Sequence, residues 1–115
     1  MRTDIQSRGF TLTPALRAAV DDEARGYAAR FPQLTANLQV RLFDVNGPRG
    51  GADKGCLVNA RVGRGRMIVV ASDINADLYR AIAAAFEKLE RGTQTVLSRG
   101  RASRHDLGVQ QLVAE

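Results

Sequence analysis

With 115 residues, 44% of them hydrophobic and 25% charged, the chain has room for one globular domain and one core, and neither disorder nor a collagen-like repeat fits. A single Cys rules out an internal disulfide framework, and together with the one His it cannot complete a structural zinc site. The 17 Lys and Arg stand against 12 Asp and Glu, a net charge of +5 that points to a polyanionic partner, nucleic acid foremost.

Residues 2–8 alternate, with Thr3, Ile5 and Ser7 on one parity and polar or charged residues on the other, and predict a first strand. Thr13 is placed to cap the helix that follows, and Pro14 suits its first position because it already has helical φ and needs no donor. Leu16, Val20, Ala24, Tyr27 and Phe31 form one apolar stripe, which Pro32 ends near Arg30–Phe31. Leu38, Val40 and Leu42 alternate with Gln39, Arg41 and Phe43 as a half-buried second strand. A turn-rich run from Asn46 to Asp53 leads to a third strand, with Cys56, Val58, Ala60 and Val62 on one side. Gly63-Arg64-Gly65 predicts a hairpin loop into a fourth strand, carrying Met67, Val69 and Ala71 inward. Asp73 or Asn75 is expected to cap the second helix, whose stripe is Leu78, Ile82, Ala85 and Leu89. Val96 stays in register beyond a stretch weakened by Gly92 and Thr93-Gln94-Thr95. No sustained period follows, so a domain over 1–100 and a flexible tail over 101–115 are expected.

The order is β-α-β-β-β-α, an α+β fold. Each helix has one apolar stripe, so both are expected on one face of a four-stranded sheet. The first two strands should be parallel across a helical crossover, and the second to fourth an antiparallel meander. The opposite face, with Arg41, Asn59, Arg61 and Phe43, is left to solvent or a partner.

Catalysis finds no constellation. His105 falls in the tail, Cys56 reads as a core residue, and Asp73 and Asp77 read as helix-start carboxylates. Gly63-Arg64-Gly65 joins strand to strand and lacks a following helix. The run from Gly47 to Lys54 lacks the GK[ST] ending of a phosphate-binding loop. We therefore expect no enzyme, cofactor, metal site or small-molecule substrate. No apolar run approaches the ~20 residues of a membrane span. Residues Met1–Gln6 lack the apolar stretch of a signal peptide, so the cytoplasm is expected.

The basic residues carry the stronger signal, and 15 of the 17 are Arg. Arg forks onto phosphate oxygens where compact Lys cannot. Arg91, Arg99, Arg101 and Arg104 follow one another with no acid between them, whereas Arg17, Arg25 and Arg30 are offset by Asp21, Asp22 and Glu23. Phe43 stands alone, without the aromatic pair that stacks single-stranded bases, so recognition of a folded RNA by shape and charge is expected. The predicted contacts are Arg49 and Lys54 on the glycine-rich connection, Arg64 and Arg66 at the hairpin, and Arg99 and Arg101 beyond the second helix's stripe.

The β-α-β-β-β-α order, Thr13-Pro14-Ala15-Leu16-Arg17, and the strings Ala76-Asp77-Leu78-Tyr79-Arg80-Ala81-Ile82 and Glu87-Lys88-Leu89-Glu90-Arg91 resemble the ribosome hibernation promoting factors. That family is also called ribosome-associated inhibitor A or sigma-54 modulation proteins, and the length resembles its short form. The resemblance implies a fold like a double-stranded-RNA-binding domain and a non-catalytic role. Such a domain would bind the small ribosomal subunit at its rRNA, occupy the mRNA/tRNA channel and inhibit translation in resting cells. By position, Lys88 and Arg91 become rRNA contacts, and a monomer is favoured. The alternative is a regulatory protein-interaction module of the same fold. This sequence departs from the family at Gly92–Leu97, where members continue a dense Lys/Arg helix, and in its longer glycine-rich connection.

Overall fold

The computed structural model describes residues 2–32, 37–45, 53–62, 67–102 and 110–114, with side chains from position 99 onward outside the description. Its elements are β1 (Arg2–Arg8), α1 (Pro14–Arg30), β2 (Asn37–Asp44), β3 (Lys54–Val62), β4 (Met67–Asn75), α2 (Leu78–Ala102) and β5 (Gln110–Ala114). They form one sheet in the order β1-β2-β3-β4-β5. β1 runs parallel to β2, β2 to β4 form an antiparallel meander, and β5 lies parallel to β4. The first four strands and both helices have the order and pairing expected.

β5 is an addition to the four strands expected. It draws its backbone partners from the open edge of β4, Met67 to Ala71 facing Gln110 to Ala114. Gln110–Ala114 is too short to display a period of its own. Strand formation there depends on a neighbour distant in sequence.

Period and burial agree closely. The even positions Leu38, Val40 and Leu42 of β2 are buried, as are Cys56, Val58, Ala60 and Val62 of β3 and Val69 and Ala71 of β4. They share one core with Leu16, Val20, Ala24 and Tyr27 of α1 and Ala81, Ile82, Ala85, Phe86 and Leu89 of α2. Both helices therefore cover the same face, and the even positions of β1 and the odd positions of β2 and β3 are left on the other. Thr13 caps α1 as expected: its Oγ1 accepts from the Leu16 N–H at 3.1 Å, with Pro14 at the first turn. At the far end the Phe31 N–H donates to the Tyr27 carbonyl at 3.0 Å. Between β1 and α1 the chain turns at Gly9, whose φ of 90° lies in the region that favours glycine.

The cap of α2 corrects the expectation. β4 continues to Asn75, because Cys56 and Lys54 of β3 still pair with Asp73 and Asn75. The cap is Asp77, whose Oδ1 accepts from the Tyr79 N–H at 2.9 Å and whose carbonyl accepts from the Ala81 N–H at 3.0 Å. Asn75 makes the turn before it, accepting from the Asp77 N–H at 3.0 Å. Asp73 stays in the sheet.

α2 runs without interruption through Gly92–Thr95. Thr95 and Ser98 donate their hydroxyls back to the Arg91 and Gln94 carbonyls at 3.0 and 3.1 Å, which satisfies these polar side chains without leaving the helix. Thr93 points into the core and is fully buried.

Candidate nucleic-acid interface

Three of the predicted contacts have described side chains. Lys54 opens β3 directly opposite Asp44 of β2. Its Nζ donates to Asp44 Oδ2 at 2.7 Å and Asp53 Oδ2 at 3.4 Å. Asp53 is itself buried, with its carbonyl accepting from the Val45 N–H at 2.7 Å. The hydrogen bond to Asp44, reinforced by Asp53, holds the ammonium above the usual lysine range against the opposing effect of burial.

Lys88, on α2, reaches back to the sheet. Its Nζ donates to Asp73 Oδ1 and the Ser72 carbonyl, each at 3.1 Å. Both lysines thus sit at the end of the sheet where β3 begins and β4 ends, and each is tied to a carboxylate. Arg91, one turn beyond Lys88, is exposed. Arg99 and Arg101 fall on the last turns of α2. By helical period position 99 returns to the stripe of Lys88, while position 101 lies across the helix from it. Arg49, Arg64 and Arg66 lie outside the described residues, as do Arg104 and His105.

On α1, Arg25 is paired with Asp22, and Arg30 reaches Glu90 of α2 at 3.7 Å. Glu23 is less exposed than Asp22 beside it. It is partly enclosed at the α1–α2 seam, where burial first, then Glu90 and Asp22, push its carboxyl above the ordinary 4.5.

The helix-free face of the sheet carries a second set of cations. In register across the strands, Arg2 faces Asn37 and then Arg61, Gln6 faces Arg41 and then Leu57, and Arg8 faces Phe43 and then Gly55. Arg41, Asn59, Arg61 and Phe43 take the places expected of them. Arg2 and Arg8 were missed as members of this face, although their parity, the same as Gln6, was the available signal. The Cys56 thiol contributes no reactive group here. It is buried opposite Asp73, and burial, with the Asp73 charge second, raises it to about 12. Among the described residues no cluster of His, Cys, Asp and Glu could hold a metal ion. No described helix is long and apolar enough to cross a membrane.

A parallel β1–β2 pair, an antiparallel meander and two helices layered on one face define a small basic α+β domain. The chain belongs to the family described as Sigma 54 modulation protein / S30EA ribosomal protein, which it matches over residues 3–99. The fold is shared with the Protein Y N-terminal domain of Thermus thermophilus (TM-score 0.68, 21% identity, covering 84% of this chain and 99% of that one). It is shared also with a ribosomal subunit interface protein from Coxiella burnetii (TM-score 0.61, 19% identity, covering 90% and 100%). No curated protein sequence matches the chain.

Proposed function

We propose that this chain is a non-catalytic, cytoplasmic factor that binds the rRNA of the small ribosomal subunit as a monomer. Bound there, it occupies the mRNA/tRNA channel and inhibits translation in resting cells. The observation that carries this reading is membership, over residues 3–99, of a family whose description includes a ribosomal protein. The shared fold with the Coxiella burnetii ribosomal subunit interface protein supports it. The net charge of +5 supplies the physical means, since cations that neutralise phosphates release counterions into solution.

The proposed contacts are Arg49, Lys54, Arg64, Arg66, Lys88, Arg91, Arg99 and Arg101. They are not equal. Lys54 and Lys88 must share their charge with Asp44, Asp53 and Asp73, so each offers less net attraction than Arg91. The test is co-sedimentation with purified small subunits over a salt series. Binding should fall steeply with salt, and replacing Arg99 and Arg101 together by Ala should flatten the slope by up to about 2. Replacing Lys54 or Lys88 should change the slope by less. Absence of binding at low salt, or binding indifferent to salt, would contradict the proposal.

A further inference from the structure

The open face of the sheet, opposite α1 and α2, holds a cleft of about 530 Å³ bordered by Gln6, Arg8, Arg41, Phe43 and Leu57. That volume lies within the range of small-molecule sites. Its lining is specific in kind. Gln6 faces Arg41 across β1 and β2, and two residues on Arg8 faces Phe43, so Arg8 is the cross-strand neighbour of Phe43, Arg41 its neighbour along β2, and the two arginines stand diagonal to each other. Both arginines are exposed, and neither has a carboxylate within 4.0 Å among the described residues. Asp4 is the one acid on this face of β1 to β4 among the described residues, and it is paired with Arg2 at 3.4 Å.

Phe43 lies across the backbone of Gly55. A side-chain carbon at position 55 would stand 2.3 Å from the ring, so the absence of one is what lets the ring lie there. The result is a half-exposed aromatic surface leaning over β3, with Arg8 opposite Phe43 on β1, Arg41 two residues before it on β2, and Gln6 opposite Arg41. A simple anion would use the arginines and leave the ring idle. An apolar ligand would use the ring and leave the arginines unpaired. A nucleotide uses both: a base has a π-face to stack, and its phosphate suits the arginine fork.

We propose that this cleft binds one nucleotide unit, with the base against Phe43 and Leu57, the phosphate held by Arg8 and Arg41, and Gln6 hydrogen-bonding the base edge. The same chemistry is offered by a free nucleotide and by one residue of an RNA strand. One aromatic ring stacks one base, so a single unit is bound rather than a run of them. The cleft lies on the face away from α2, and the inference does not depend on the ribosomal reading.

The experiment is titration of the ¹⁵N-labelled full chain with AMP, an adenosine RNA pentamer and inorganic phosphate, followed through backbone amide resonances. AMP and the pentamer should move the Gln6, Arg8, Arg41 and Phe43 signals. Inorganic phosphate should need at least about a fivefold higher concentration, since it lacks the stacking contribution. Arg8→Gln with Arg41→Gln should abolish saturable binding of all three. Phe43→Leu should weaken AMP about fivefold or more and leave phosphate unchanged. A pentamer bound at least tenfold tighter than AMP identifies the source as an RNA strand, and equal affinities identify a free nucleotide. Either outcome supports the site. Phosphate binding as tightly as AMP, shifts confined to other residues, or no shifts would overturn it. Small-subunit co-sedimentation of the Arg8→Gln, Arg41→Gln protein separates the two proposals, because loss of nucleotide binding with ribosome binding retained bears on this cleft alone.

Discussion

The hydroxyls of Tyr27 and Thr93 meet at 2.8 Å across the seam between α1 and α2, joining residues 66 positions apart, both buried. Each satisfies the other in a place that water does not reach. Tyr27→Phe should therefore cost about 1–2 kcal/mol, and Thr93→Val a similar amount, because each leaves a buried hydroxyl without its partner. The double variant should cost clearly less than the two together, as urea unfolding can measure. Strict additivity would refute the coupling. Burial also lifts the Tyr27 phenol above its ordinary 10.0, an effect that the Thr93 hydrogen bond reduces. The native chain should thus lose stability as pH climbs past 10, and Tyr27→Phe should lose less over that range.

Gly26 sits in the middle of α1 with nothing within 4 Å of where a Cβ would be. Nothing there requires glycine, and its backbone freedom is lost on folding. Gly26→Ala should raise stability by about 0.5–1 kcal/mol, seen as a higher urea midpoint at an unchanged slope. No gain would mean that the helix surface at Gly26 is constrained by something other than this chain's own packing.

What could be read from the sequence was what depends on period. The stripe from Leu16 to Phe31 and the alternation of Leu38, Val40 and Leu42 each report which face meets the core, and the core assembled from them. The Thr13 cap was legible for the same local reason. Long-range pairing was not. Thr93 reads locally as a poor helix residue, and its value appears when Tyr27 is brought against it. Lys54 and Lys88 read as free cations, since Asp44 and Asp73 lie 10 and 15 residues away in sequence and become neighbours through strand register and helix docking. Asp73 and Asp77 look alike as helix-start acids. How far β4 extends beside β3 decided that Asp77 is the cap.

Glu23 offers a test of the α1–α2 seam by pH. Its carboxyl is raised above 4.5 by burial and by the charges of Glu90 and Asp22. A carboxyl raised in the folded state weighs against stability wherever it is ionised, and the penalty fades as pH falls from the raised value towards 4.5. Glu23→Gln should therefore stabilise the chain at neutral pH by a few tenths of a kcal/mol, the site being largely solvated. The gain should vanish below about pH 4, where both states bind the proton. A gain that persists unchanged in acid would show that the charge on Glu23 is not its source.

Cys56 should be silent in the native state. The thiol is buried and raised to about 12, so almost no thiolate is present near neutrality. Alkylation with iodoacetamide at pH 8 should be slow in the folded chain and fast in urea, with a native rate that tracks opening of the structure. Rapid stoichiometric modification under native conditions would be inconsistent with its place between β2 and β4.

Gly55 and Phe43 pose the sharpest steric question. An added methyl at position 55 would meet the Phe43 ring at 2.3 Å, so the ring must leave its seat in Gly55→Ala. A displacement of that kind costs about 1–3 kcal/mol when the core is crowded, and less if the ring swings freely into solvent. Phe43→Ala in the same chain removes the conflict, and alanine suits a strand better than glycine does. The double variant should therefore be at least as stable as Phe43→Ala alone, while Gly55→Ala by itself should fall below the parent. Because the ring is also the stacking surface of the proposed nucleotide cleft, Gly55→Ala should weaken AMP binding with Arg8 and Arg41 both intact. Unaltered stability and unaltered AMP binding in that variant would show that Phe43 does not depend on the bare backbone beneath it.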